Sequence, residues 1–300
     1  MQENIVTMHE RHRLWSAVIA AGFTAAAGAQ TDVTELVIYG LDSGPPSSFV
    51  RYAFDDNTYQ EIGILIDQNG DPVDHPESLT YFPTGSFKGF YCVSTGKDGV
   101  GPAHYLHRIN AFDASVTTYP TPLPYRGIRA LVSLPDAGAP SGWSIFAYSH
   151  GPSNIHRIIK IHPEDGSSEE VMVVSNIYEG ISQGPTPGTM YAVTGWKLYL
   201  VDYVAKTETL NGDHGHSRTE ALEFAYGNGI PKVIVPMVPW STDDGILFSF
   251  AQNHGLLIMN PADANTIVYP STFALVDCEG MVFFTEATDP YGNVVVSPHD

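Results

Sequence analysis

The stretch Asp277–Phe284, "DCEGMVFF", sets a carboxylate and a glycine at the head of a short run of large apolar residues. Taken alone it reads two ways, as an active-site Glu279 or as the opening of a buried strand. Four other segments decide the matter. "ESLTYF" (77–82), "RALVSL" (129–134), "EGISQG" (179–184) and "EALEFA" (220–225) keep the order of charged residue, small residue, aliphatic residue, with Arg129 replacing the acid once. Their starts, taken with Glu279, lie 52, 50, 41 and 59 residues apart. Self-similarity at such a period marks a repeat architecture.

Each head is followed by three more segments rich in β-branched and aromatic residues. After Glu77 come "GFYCVS", "HYLHRINAF" and "SVTTYP"; after Arg129 come "WSIFAYS", "NIHRIIKIHP" and "EEVMVVS". Glu179 leads to "TMYAVTG", "KLYLVDYVA" and "KTETLN", and Glu220 to "GILFSFAQ", "GLLIMNPA" and "NTIVYP". The third segment ends each time in a polar tip ("NAFDAS", "IHPEDGS", "DYVAKT", "NPADAN"), the chemistry of a hairpin turn. Composition agrees with a β protein: 16% charged residues, 11% aromatic, and 28 Gly with 22 Pro in 300 residues. Four strands per unit at this period predict a β-propeller.

The fifth unit opens with Glu279 and has little chain left. The strands it lacks stand at the other end, as "ELVIYGLDS", "SFVRYAFDD" and "TYQEIG". The C-terminal inner strand is therefore expected to complete a blade built by the N-terminus, which removes an open sheet edge. Five blades follow; "NVVVSP" (293–298) resembles a further second segment and leaves six as the alternative count.

The architecture resembles that of the exported bacterial NHL/YVTN-like repeat propellers. "MYAVTG" (190–195), "KLYLVDYVAKTETL" (197–210) and the Glu-Gly openings carry the resemblance. It covers most of residues 34–298 as architecture and implies no one activity, because that group hosts many; a single propeller domain is expected over residues 30–300. The Glu-Gly at 179–180 and 279–280 also resembles the opening of gluconolactonase/regucalcin-type propellers. That resemblance implies a divalent-metal ligand at Glu179 or Glu279. The Pro and aromatic residue that follow in that family are replaced by Ile181-Ser182 and Met281-Val282.

Arg11 and Arg13 precede an apolar run of about 14 residues that ends in Ala27-Gly28-Ala29, the pattern of a secretory signal peptide over residues 1–29. Cleavage would release a secreted or periplasmic chain with no membrane span. With 14 basic and 33 acidic residues the net charge is −19, which opposes nucleic acid and anionic lipid and favours cations. Cys92 and Cys278 stand 186 positions apart and read as small buried apolar residues, with a bridge between them as the alternative.

Three groups invite chemistry. Equivalent strand heads converge around a propeller axis, so Glu77, Glu179, Glu220 and Glu279, with Arg129 as the odd member, would form an acidic collar suited to Ca²⁺. Against this, recurrence in four blades fits a strut on the face packed between blades. Asp67, Asn69 and Asp71 in "DQNGDPVDHPE" alternate like Ca²⁺-loop ligands, but Gly70 precedes the third of them, and the bland reading is a polar turn. His214 and His216 in "NGDHGHSRTE" form an H-x-H pair, which can ligate Zn²⁺ when the chain is extended; the bland reading is a glycine-rich loop. The two "HRI" copies, at 107–109 and 156–158, read as repeat ancestry. Trp143, Trp196 and Trp240 read as packing residues, and the long insertion 227–245 as the place for a partner surface.

No Walker A, glycine-rich dinucleotide fingerprint or HExxH occurs. The expectation is thus an exported, non-catalytic, monomeric module that binds a protein, glycan or small molecule. The alternative is a metal-dependent lactonase or phosphoesterase at the acidic mouth. A glycosidase follows only if two carboxylates stand about 5–5.5 or 6.5–9.5 Å apart.

Overall fold

The computed structural model describes residues 36–53, 58–73, 75–95, 104–151, 154–226, 230, 234–251, 255–269 and 278–285. The proposed signal peptide and "NVVVSP" lie outside them. In chain order the strands are β1 (Leu36–Asp42), β2 (Ser48–Ala53), β3 (Thr58–Ile64), β4 (Ile66–Asp67), β5 (Pro76–Phe82), β6 (Gly89–Thr95), β7 (His104–Ile109) and β8 (Ser115–Thr118). There follow β9 (Ile128–Pro135), β10 (Trp143–Gly151), β11 (Ile155–Ile161), β12 (Ser168–Val174), β13 (Gly180–Gln183), β14 (Thr189–Val193), β15 (Lys197–Asp202) and β16 (Thr207–Asp213). The last are β17 (Thr219–Ala225), β18 (Ile246–Ala251), β19 (Gly255–Met259), β20 (Thr266–Val268) and β21 (Cys278–Thr285).

These form five antiparallel sheets, and each predicted head opens an inner strand. Blade 1 has the order β21-β1-β2-β3, so the C-terminal strand does complete an N-terminal blade. Blade 2 is β5 to β8, with the short β4 added in parallel to β8 as a fifth, outermost strand. Blades 3, 4 and 5 are β9–β12, β13–β16 and β17–β20. The inner strands pack in the cycle β21, β5, β9, β13, β17 and back to β21, a closed five-bladed propeller.

The period of two along each strand builds the core. Alternate side chains face opposite neighbours, and the buried residues fall into five clusters, one per seam between blades. On β6, Phe90 and Cys92 enter the blade 1–2 seam, while Tyr91 and Val93 enter the blade 2–3 seam. On β21, Met281 and Phe283 face blade 5 while Val282 faces blade 2. Phe283 stacks on Phe248 of β18, with ring centroids 4.2 Å apart, so the closing strand is held by aromatic packing as well as by its ladder. Cys92 and Cys278 are buried free thiols in different seams, as their reading as small apolar residues anticipates.

The recurring tips are one turn. Asn110, His162 and Asn260 each accept the N–H four residues on, from Ala114, Gly166 and Ala264, at 2.8–2.9 Å. Those three residues have positive φ (59°, 73° and 62°), as does Lys206 in blade 4. Asp113, Asp165 and Asp263 side chains accept the N–H two residues on, at 2.9, 2.8 and 3.1 Å, and stabilise the bend.

Strict alternation fails at the strand heads. The register slips between Glu77 and Thr80, between Glu220 and Leu222, and around Glu279, so the carboxylates do not share the face of the aliphatic residues behind them. Ser78 and Ala221, next to the acids, take φ of 56° and 52°. Bulges of this kind re-aim a side chain at the end of a strand. The small residue has its own cause: a Cβ on Gly280 would lie 2.1 Å from the Leu79 nitrogen, and one on Gly180 would lie 2.8 Å from the Ala221 carbonyl carbon. Adjacent inner strands touch there, backbone to backbone.

Candidate functional site

Around the ring the strand heads run Glu279, Glu77, Arg129, Glu179, Glu220. The Arg129 Nη1 donates to both oxygens of Glu179, at 2.9 and 3.0 Å, with the two side chains 43% and 26% exposed. Burial opposes the charge on its guanidinium, but Glu179 and then Glu77 outweigh burial and raise its pKa, so its charge balances one of the two carboxylates on this flank. The other flank is acidic. Burial pushes the Cys278 thiol up, and Glu279, Glu220 and Asp42 push it further, which locates three carboxyl groups around that strand head. The Ser43 hydroxyl donates to Glu279 at 3.5 Å.

Below the heads, hydroxyl groups stitch the inner strands together. Ser78 Oγ accepts the Leu131 N–H at 2.7 Å, and Thr80 Oγ1 accepts the Ser133 N–H at 2.8 Å. Ser249 Oγ donates to the Ala221 carbonyl at 2.7 Å. The first two bonds hold the head of β5 against β9, and the third holds the head of β17 to β18 within blade 5.

The H-x-H pair divides. His214 is 3% exposed; its N–H bonds to the Trp196 carbonyl at 3.0 Å, and its Nε2 faces the Thr194 carbonyl at 3.3 Å. Its Nδ1 accepts the His216 N–H at 3.4 Å, and its carbonyl accepts the Thr266 hydroxyl at 3.0 Å. Burial lowers its pKa. The His214 and His216 rings lie parallel with centroids 6.4 Å apart. The Asp67 loop likewise closes on itself: Asp67 Oδ1 accepts the N–H groups of Asn69 and Asp71 at 2.8 and 2.9 Å. Among the described residues no three His, Cys, Asp or Glu side chains are disposed to hold one metal ion.

Two constellations escape a reading of spacing. On blade 3 the Ser144 hydroxyl donates to Asp136 at 2.8 Å and lies 3.4 Å from His162 Nδ1, while Lys160 spans Asp136 and Glu169 at 3.1 and 2.7 Å. The residue types are those of a hydrolase triad, but Ser144 is fully buried and its proton is aimed at the carboxylate. The cluster ties the β9–β10 turn to β11 and β12. On the rim of the blade 3–4 seam, His150 and His156 face each other across β10 and β11, with ring centroids 4.8 Å apart. The Tyr148 hydroxyl meets His156 Nδ1 at 2.7 Å. Burial, then Glu179, raise the Tyr148 pKa.

The "HRI" copies are not equivalent. Measured from the shared turn, His107 precedes Ile109 by two residues, whereas His156 precedes the matching Ile161 by five. His107 is buried between Ser94 Oγ at 2.7 Å and Thr118 Oγ1 at 3.0 Å, and burial lowers its pKa to about 4. His156 stands in line with His104 instead.

The insertion is built from beneath. Ile230, Ile234 and Val238 are buried in the blade 5–1 core, with Trp240 packed on it. Tyr226, Val235 and Met237 face outward, 57%, 45% and 37% exposed. Trp143 also packs at a seam, while Trp196 is exposed.

No protein-family model matches the chain, and no curated protein matches its sequence. Solved structures similar to it include a chain of the nidogen/laminin complex, at 8% identity and a TM-score of 0.46, over 83% of this chain and 98% of that one. TolB from Acinetobacter baumannii matches at 13% identity and a TM-score of 0.42, over 87% of this chain and 61% of that one. The periplasmic gluconolactonase PpgL of Pseudomonas aeruginosa matches at 12% identity and 0.42, over 87% and 81%. The likeness is one of fold.

Proposed function

We propose that this protein is an exported, non-catalytic binding propeller whose partner surface is the insertion over blade 5. The observation that carries the reading is the construction of that insertion. Three buried side chains fasten it to the core, and three large apolar ones in it or next to it, Tyr226, Val235 and Met237, are turned to solvent. A rigid ring that presents an anchored apolar loop is the usual setting for recognition. The side chains suited to chemistry have other work: Arg129 and Glu179 pair across a seam, and His214 and Ser144 bond within their blades or to the next.

The test compares the full chain with the Val235→Ser/Met237→Ser variant. Both should unfold at the same denaturant concentration, and the variant should lose a protein or glycan that the native chain retains from extracts of its own cell envelope. Metal-dependent hydrolysis of a lactone or phosphoester, abolished by Glu279→Gln or Glu179→Gln, would replace this reading with the hydrolase.

A further inference from the structure

We infer that His150 and His156 form a two-imidazole site for a divalent transition-metal ion on the rim between blades 3 and 4. The pairing is set by register. His150 and His156 are direct partners in the β10–β11 ladder, so both rings leave the same face of the sheet. Tyr148 shares that face, two residues before His150. Both residues are partly exposed, unlike His104, His107 and His214, each 3–4% exposed.

The separation suits one ion. With a metal–nitrogen distance of about 2.0–2.1 Å, each imidazole centre lies about 3.2 Å from the metal. Ligand angles between about 90° and 110° then place the two centres about 4.5–5.2 Å apart. The observed distance is 4.8 Å, with the ring planes 30° apart. Among the described residues the His150 ring is held at its Nε2, by a 3.4 Å contact to Asn154 Oδ1, so its ring turns to bring a nitrogen to the shared ion. His156 is oriented from behind by the Tyr148 hydroxyl. Moving the His156 ring proton to Nδ1, where the Tyr148 oxygen accepts it, leaves the Nε2 lone pair for the metal. Water fills the remaining positions, as in an open site. Glu208 and Glu179 lie close enough to act on His156 and Tyr148 and add favourable negative charge, partly offset by Arg129.

Imidazole ligands select Cu²⁺ and Zn²⁺ over Ca²⁺ and Mg²⁺. The H-x-H pair is the internal control, because the His214 nitrogens are already engaged and its rings lie farther apart. Calorimetric titration of untagged, full-length protein with Cu²⁺ and with Zn²⁺ tests the site. One ion per chain is expected, with affinity at least tenfold lower in His150→Ala and His156→Ala and unchanged in His214→Asn and His216→Ala. Tyr148→Phe should weaken binding by about tenfold, as loss of an orienting partner does. Circular dichroism of each variant confirms the fold. Absence of binding, or binding that survives in both His150→Ala and His156→Ala, would overturn the assignment. So would loss of binding in the His214 and His216 variants alone. Hydrolase activity dependent on the Glu variants would leave the site standing while removing the proposed function.

Discussion

Two histidine pairs in this molecule look alike only on paper. His214 and His216 are two residues apart and carry the spacing of a metal chelate; His150 and His156 are six apart and carry no recognised pattern. The fold reverses their standing. It buries His214 to 3% exposure against the Thr194 and Trp196 carbonyls, and it sets the His150 and His156 rings 4.8 Å apart on a partly exposed rim. The difference teaches a division within the propeller. Side chains desolvated in the blades and their seams hold the ring; side chains at the rim stand where a ligand can reach them.

The seam side is where substitutions should cost most. Gly280→Val places a side chain where even a Cβ would lie 2.1 Å from the Leu79 nitrogen. The closing strand must then back away from β5, and we expect a loss of at least about 3 kcal/mol in equilibrium unfolding, or no folded protein. Acid should act next. Burial lowers His107 to about 4, so between pH 6.5 and 4 the unfolded chain takes up a proton that the folded chain refuses. Stability from this group is complete above pH 6.5, falls through that window, and totals roughly 3 kcal/mol. Glu208, held below its usual range by Tyr178, Ser175 and Asn176, adds a loss of the same sign as its own carboxyl protonates. Denaturant titrations at pH 7, 5.5 and 4 should show the fall, shallower in His107→Gln. A flat profile would place that imidazole in water. Arg129→Met belongs near the bottom of the scale: its partner Glu179 is a partly exposed ion pair, worth below about 1 kcal/mol. A larger loss would make the mouth a seam too.

Much of the architecture was legible because the physics is local and repeated. Four strands per unit, the polar tips with their Asp side chains, and the completion of blade 1 by "EGMVFF" follow from period-two patterns and turn chemistry. The strand heads were found as a ring for the same reason. What escaped is set by register. Bulges beside Glu77, Glu220 and Glu279 break the alternation, and no residue pattern announces them, since Ser78 and Ala221 adopt positive φ without being glycine. The two "HRI" copies matched in letters and missed in space by three positions, because the turn, not the motif, is the common reference. The His150–His156 and Ser144–His162–Asp136 groupings exist only once the hairpins are closed. The insertion was legible as a surface but not as an anchored one, since Ile230, Ile234 and Val238 reach a core formed by both chain ends.

The division between seam and rim stands or falls on one comparison of unfolding free energies. His214→Ala strands the Thr194 carbonyl and opens a void in a buried site, so it should cost about 2 kcal/mol; His150→Ala, on the rim, should stay within about 0.5 kcal/mol of the native protein. Equal losses in the two variants, or a larger loss at His150, would contradict the account.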